Sequence, residues 1–264
     1  MKARCLLIGV VVLFAAGVLT ASSYGEFDPE TCVGVWLFDE GEGDIAADSS
    51  GKGNNGELMG DPAWVDGKFG SALEFDGASS HVSVPDSESL NPTTAITLGA
   101  WIYPKGFTGN GNGLLTKEAQ YILGLNWPQS GNAQKLNLWL TIGGWILFAS
   151  DDEVPADSWS HVAITYDGST KKLYIDGNLV DLGVFNGADL QGEIGTSAND
   201  ILIAQGNTGV GAQAFEGLID EIAVFNVALT ETDIRDFMRG WSFLLAVTPA
   251  SKLTNTWAAV KAQF

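Results

Sequence analysis

The chain has 264 residues, among them 33 glycines, 13 phenylalanines and nine tryptophans. That length allows one or two domains, and many turn formers mixed with bulky apolar residues suit a sandwich of short strands. Thirteen basic residues stand against 32 acidic ones, a formal charge of −19. Such a surface repels phosphate backbones and excludes nucleic acid as an expected partner. It fits either a solvated exterior or a few carboxylates clustered on a divalent cation.

The N-terminus reads as a targeting segment. Lys2 and Arg4 precede an apolar run over 6–19, too short for a bilayer span, and Ala21, Ser22, Ser23 and Gly25 offer small residues for cleavage. A signal peptide over 1–25 is expected, with an uncleaved anchor as the alternative. The mature chain is then secreted, extracellular or at the cell surface, with the periplasm also open and no membrane span. Cys5 falls in the signal, so Cys32 remains alone and can form no intramolecular disulfide.

Strands follow from alternation and turn chemistry. Residues 33–38 form an apolar strand, followed by the acidic, glycine-rich stretch 39–44 and by Asp48-Ser49-Ser50-Gly51 and Asn54-Asn55-Gly56. This loop lacks the Lys-Ser/Thr pair of a phosphate cradle. Residues 67–77 lead through a loop into a strand and turn, 81–84 is the next strand, and 98–104 ends at Pro104, which cannot extend a ladder. Between 105 and 155 the spacing predicts a mobile loop over 106–113, a strand over 121–125, and a loop over 126–134 carrying Trp127. A hairpin of 136–142 and 145–149 turns at Gly143-Gly144. Residues 159–180 read as a three-strand meander turning at Asp167-Gly168 and Asp176-Gly177, with Val162, Ile164 and Tyr166 on one face. Strands at 201–204 and 215–225 follow. Thr230 to Asp233 is a capping box opening a helix from 231 to about 238, with Ile234 and Phe237 or Met238 inward. Residues 241–264 read as a C-terminal tail, either a strand or arm packed on the sandwich or a frayed end, with a sorting or partner-docking signal as the functional alternative.

Several of these segments carry a family resemblance. Trp159-x-His161-Val162-Ala163-x-Thr165-Tyr166-Asp167-Gly168, then Leu173-Tyr174-Ile175-Asp176-Gly177-Asn178-Leu179-Val180, resembles the laminin-G-like branch of the concanavalin A-like jelly rolls. Phe215-x-Gly217-x-Ile219-Asp220-Glu221 with Ala228-Leu229-Thr230 is its most distinctive match, and 33–58 and 67–84 add to it. The resemblance implies an all-β fold, a two-sheet antiparallel β-sandwich over about 30–240 with a short C-terminal helix. It also implies that the loops of 39–56 and the closing strand converge, so that Asp39, Asp48, Asn54 and Asp220 could hold a structural Ca2+. The other reading gives these residues to strand ends and turn caps, and the two stay open.

The same superfamily includes laminarinase-type glucanases, and such an activity would require paired carboxylates. Their Glu-x-Asp-x-(x)-Glu strand is missing. Glu40, Glu42 and Asp44 are separated by glycines, and Glu216 and Asp220, four apart, have Gly217 between them and no assisting Asp. His81 and His161 are the only histidines and read as structural; with Cys32 they cannot close a four-ligand zinc site. The expectation is a secreted, non-catalytic recognition module for carbohydrate, with Tyr121, Trp127 and Trp145 as candidate stacking residues near the variable loops. A cell-surface adhesion module binding an extracellular protein, and a glycoside hydrolase-like enzyme, are the alternatives.

Overall fold

Period-two alternation of apolar residues organises most of the chain into strands. The computed structural model describes residues 27–107, 111–127, 134–186, 191–206 and 213–246. The expected signal peptide, and the tail beyond 246, lie outside these residues. In chain order the strands are β1 (Cys32–Trp36), β2 (Ile45–Ala46), β3 (Gly56–Met59), β4 (Ala63–Asp66), β5 (Ser71–Asp76) and β6 (His81–Val84). Then come β7 (Ile96–Pro104), β8 (Asn112–Lys117), β9 (Tyr121–Leu125), β10 (Lys135–Thr141), β11 (Trp145–Glu153) and β12 (Ser160–Tyr166). The last are β13 (Lys171–Ile175), β14 (Asn178–Val180), β15 (Leu182–Asn186), β16 (Ile201–Ile203) and β17 (Glu216–Phe225). Two helices close the described chain, α1 (Glu231–Phe237) and α2 (Trp241–Ala246).

The strands form two antiparallel sheets. One runs β14-β13-β12-β7-β17-β5-β4, with β1 also paired to β17; the other runs β15-β11-β10-β9-β8-β16-β6-β3-β2. The meander forms as the turns dictate. Asp176 and Gly177 both take positive φ, 50° and 71°, the conformation a two-residue hairpin needs to match strand twist. Asp176 also ties the neighbouring strand, accepting from His161 N at 2.9 Å. Val162, Ile164, Tyr166 and Leu173 from this unit enter the core between the sheets, where they meet Leu123, Leu138 and Phe148 of the other sheet.

A second apolar cluster lies on the opposite side of the first sheet. Ala163, Tyr174, Ala223 and Phe225 face outward there and are covered by Phe27, Ile234 and Phe237, then by Trp241 and Leu244 of α2. The capping box forms as expected: Thr230 Oγ1 accepts from Asp233 N, and the Asp233 carboxylate accepts from Thr230 N at 3.0 Å. Ile234 and Phe237 are buried as predicted. Of the expected tail, 241–246 is described and forms α2. Trp241 and Leu244, three apart on α2, are buried against the sheet, because an outward-facing row of aromatic and small residues has no other cover. The expected loop over 106–113 ends earlier than its glycines suggest, since β8 begins at Asn112.

Candidate functional site

The outer face of the nine-stranded sheet has no helix across it among the described residues, and its side chains follow from alternation. In β10, Leu136, Leu138 and Leu140 point into the core, so Asn137, Trp139 and Thr141 point away. In β11, Ile146 and Phe148 point in and Trp145 and Leu147 out. In β9, Tyr121, Leu123 and Leu125 point in and Ile122 out. Register then sets Leu202, Thr116, Ile122, Trp139 and Leu147 side by side across β16, β8, β9, β10 and β11. At the usual strand spacing this row is roughly 19 Å long.

Three indoles cluster at one end of the row. Trp127 and Trp139 have ring centroids 5.8 Å apart, and Trp139 and Trp145 are 5.9 Å apart, edge to face. Trp139 and Trp145 are half-buried, while Trp127 is 5% exposed. Two glycines make the space for Trp127. A Cβ on Gly111 would lie 2.7 Å from its ring, and one on Gly124 would lie 3.0 Å from it. Beside the indoles are polar atoms that are buried and have no hydrogen-bond partner: Asn137 Oδ1, Trp139 Nε1 and Thr141 Oγ1. Asn137 uses only its amide nitrogen, which donates to Lys135 O at 2.6 Å.

Of the three predicted stacking residues, this face carries Trp127 and Trp145. Tyr121 is corrected. It is fully buried in the core, its hydroxyl donates to Leu90 O at 3.0 Å, and it offers no ring face to a ligand. The reason is strand parity, since Tyr121 shares the face of Leu123 and Leu125. Trp139, Thr116 and Asn137 were missed. Trp139 was legible as the residue opposite in phase to Leu138 and Leu140, whereas Thr116 lay in a strand not recognised.

The four residues expected around calcium separate into two pairs. Asp48 is saturated: Oδ1 accepts from Val35 N and Ser50 N, and Oδ2 accepts from the Ser50 hydroxyl and Asn54 N. Asn54 is engaged too, its amide donating to Val33 O and Ser89 Oγ while Oδ1 accepts from the Ser87 hydroxyl. Both brace the loop after β1, and the four hydrogen bonds to the Asp48 oxygens are all made there. Asp39 and Asp220 both meet the 67–71 loop. Asp39 Oδ1 accepts from Ser71 N at 3.0 Å and Asp220 Oδ2 from Phe69 N at 2.9 Å, while Asp220 Oδ1 is buried without a partner. Among the described residues no three His, Cys, Asp or Glu side chains come together as a metal-holding group. Asp220 and the adjacent Glu221 sit at a bulge of β17, where Glu221 takes φ 48°. Burial pushes the Asp220 carboxyl up to about 7, opposed by the Phe69 amide and reinforced by Asp39. Burial likewise pushes Glu221 up to about 7, opposed by the Trp241 amide, which donates to it at 2.5 Å.

The remaining titratable candidates face elsewhere. Glu216 is half-buried at the start of β17 beside Gly77 and Gly106, and Asp220 is fully buried. Glu40 caps a turn, accepting from Ala47 N at 2.8 Å. His161 is fully buried between Trp101 and Phe237, with ring centroids 5.5 and 5.3 Å away, and burial pushes its pKa down to about 3. It is a neutral packing residue. Desolvation likewise raises the thiol pKa of the buried Cys32.

This geometry is that of a two-sheet jelly roll with one sheet face roofed by helices and the other carrying aromatic and polar side chains. The chain belongs to the laminin-G-like family of the concanavalin A-like lectin/glucanases superfamily, whose model matches residues 76–235. Among solved structures it is similar to domain 4 of AbnA, a GH43 extracellular arabinanase from Geobacillus stearothermophilus, solved in complex with arabinotriose. The two share 24% identity at a TM-score of 0.61, covering 79% of this chain and 98% of that one. It is also similar to the binding domain of Paraclostridial Mosquitocidal Protein 1, at 18% identity and a TM-score of 0.55 over 80% of this chain and 52% of that one. A third is the botulinum neurotoxin serotype G binding domain, at 15% identity and 0.57 over 79% and 50%. Identities this low establish the fold. A comparison with curated protein sequences finds no match. No helix among the described residues is long and apolar enough to cross a membrane.

Proposed function

We propose that the chain is a non-catalytic, secreted glycan-binding module that reads its ligand on the outer face of the nine-stranded sheet. The observation that carries this reading is the pairing, on one face, of half-buried indoles with buried polar atoms that lack partners. A sugar presents the complement: C–H faces for Trp139 and Trp145, and hydroxyls that both donate and accept. An unpaired buried polar group costs about 1–3 kcal/mol. A ligand hydroxyl donating to Asn137 Oδ1 or accepting from Trp139 Nε1 recovers part of that cost in the complex. The arabinotriose held by the AbnA domain supports the choice of sugar over protein.

A glycan array probed with the full chain tests the proposal, followed by calorimetry on hits. Trp139→Ala should weaken binding at least tenfold while leaving the melting temperature within a few degrees, since the ring is half-buried. Silence on the array together with tight binding of a purified extracellular protein would replace this reading with adhesion. Release of reducing sugar from any polysaccharide would replace it with hydrolysis.

A further inference from the structure

The helices roof only part of the first sheet's outer face. Phe237 closes over Gly99, where a Cβ would lie 2.8 Å from its ring, and the Met238 carbonyl accepts from Trp101 Nε1 at 3.1 Å. One row further along the strands, Leu218 of β17, Tyr103 of β7 and Trp159 just before β12 lie outside the apolar cluster that α1 and α2 complete. Register sets Leu218 beside Tyr103, and the Tyr103 and Trp159 rings meet edge to face at 5.8 Å. Ile102 and Ile219 enter the core, so Tyr103 and Leu218 point outward. All three are half-buried.

Acidic residues flank this patch. Glu216 precedes Leu218 by two on β17 and shares its face. Asp157 is tied to the end of β7, its N–H donating to Pro104 O at 2.8 Å. Of the cations nearby, Lys105 is paired with Glu74 at 2.6 Å, and Lys68 lies over the Trp101 ring at 4.2 Å. An aromatic patch with an acidic margin fits an occupant that is both apolar and cationic.

The chain carries such a segment. α2 lies on this same face, and the chain leaves it at Ala246. Residues 247–264 contain Lys252 and Lys261 and no acidic residue. Trp257, Val260 and Phe264 fall at i, i+3 and i+7, one side of a helix, with Thr256 at the N-cap position and Ala258, Ala259 and Ala262 between them. From Ala246 to Trp257 an extended link reaches about 36 Å. That exceeds the width of the first sheet's seven-strand path, roughly 29 Å. A tethered segment also acts at an effective concentration on the order of 1 mM, ahead of free partners.

We propose that residues 256–264 form an amphipathic arm whose Trp257, Val260 and Phe264 cover Leu218, Tyr103 and Trp159. Lys252 and Lys261 then meet the acidic margin. A helix this short is marginal alone in water and forms only against a surface that buries its apolar side. Its docking is independent of any glycan held on the other sheet.

Hydrogen exchange read by mass spectrometry on the full chain tests the arm, with a synthetic 247–264 peptide for comparison. Amides of 257–264 should exchange at least about tenfold more slowly in the full chain than in the peptide. Trp257→Ala should return them to the peptide's rate. Leu218→Lys should do the same while sparing the core, because that side chain points outward. Melting curves verify folding, and Trp159→Ala takes the place of Leu218→Lys if the latter does not fold. Exchange at the peptide's rate in the unaltered chain would overturn the proposal. Protection that survives both Leu218→Lys and Trp159→Ala would overturn it by placing the arm elsewhere. Protection lost on dilution, with a dimer seen in sedimentation, would overturn it by making a second copy the host.

Discussion

Asp220 gives the sharpest handle on the chemistry of the fold. Its carboxyl is fully buried and titrates near 7 rather than 3.8. Between those values the folded state holds a proton that the unfolded state releases. Stability therefore falls as pH rises through this window, and above about pH 7 the full cost of ionising Asp220 is carried. Each tenfold change in proton affinity is about 1.4 kcal/mol, so the cost above that window is roughly 4 kcal/mol. Glu221 is pushed the same way and adjoins it, so the two titrate as a pair and their costs do not add. Asp220→Asn keeps an oxygen for the Phe69 amide and removes the charge. In urea melts with a chelator present, the variant should match the parent near pH 4 and exceed it by about 2–4 kcal/mol near pH 8. A gap that stays constant from pH 4 to 8 would refute the assignment. We propose calcium on Asp39 and Asp220 as the one surviving form of the expected cation site. Adding calcium at pH 8 should then stabilise the parent and not the variant, whereas equal curves with calcium and chelator would end that proposal.

Other outcomes follow from single contacts. The fully buried Lys117 ammonium donates to Asp86 Oδ1 and to Asn199 O. Asp86→Ala leaves it with the carbonyl alone and should cost about 3 kcal/mol, the low end for a broken buried pair because Asp86 is partly exposed. A differential scan should show the melting point falling by roughly 10 °C. Thr230→Ala removes the helix cap and should cost about 1 kcal/mol, measured by the shift of the urea midpoint at unchanged slope. Tyr121→Phe deletes one buried hydrogen bond and should cost about 1 kcal/mol in the same melts while leaving glycan affinity unchanged. A loss of affinity in that variant would return Tyr121 to the binding face.

The sandwich was legible because its signals are local. The turns at Asp167-Gly168 and Asp176-Gly177, the alternation of 159–180 and the capping box at Thr230 each specify a conformation within a few residues. The site was less so. Tyr121 lies near loops in the sequence, but strand parity decides its face, and parity beside Leu123 and Leu125 puts it inside. Trp139 passes that same parity test outward. Thr116 meets Leu202 only through pairing of β8 with β16, separated by more than 80 residues, which no local pattern reveals. Two of the residues expected around calcium are engaged elsewhere for a related reason. Asp48 and Asn54 spend their oxygens on backbone amides and hydroxyls that only the folded loop brings to them.

The packing of α1 and α2 has a consequence for how such a module would be used. With the outer face of the first sheet sealed by Phe237, Trp241 and Leu244, each copy would present a single glycan-facing surface. Avidity for a polymer would then have to come from repetition, several copies tethered side by side at a spacing their linkers allow, rather than from one copy gripping two chains at once.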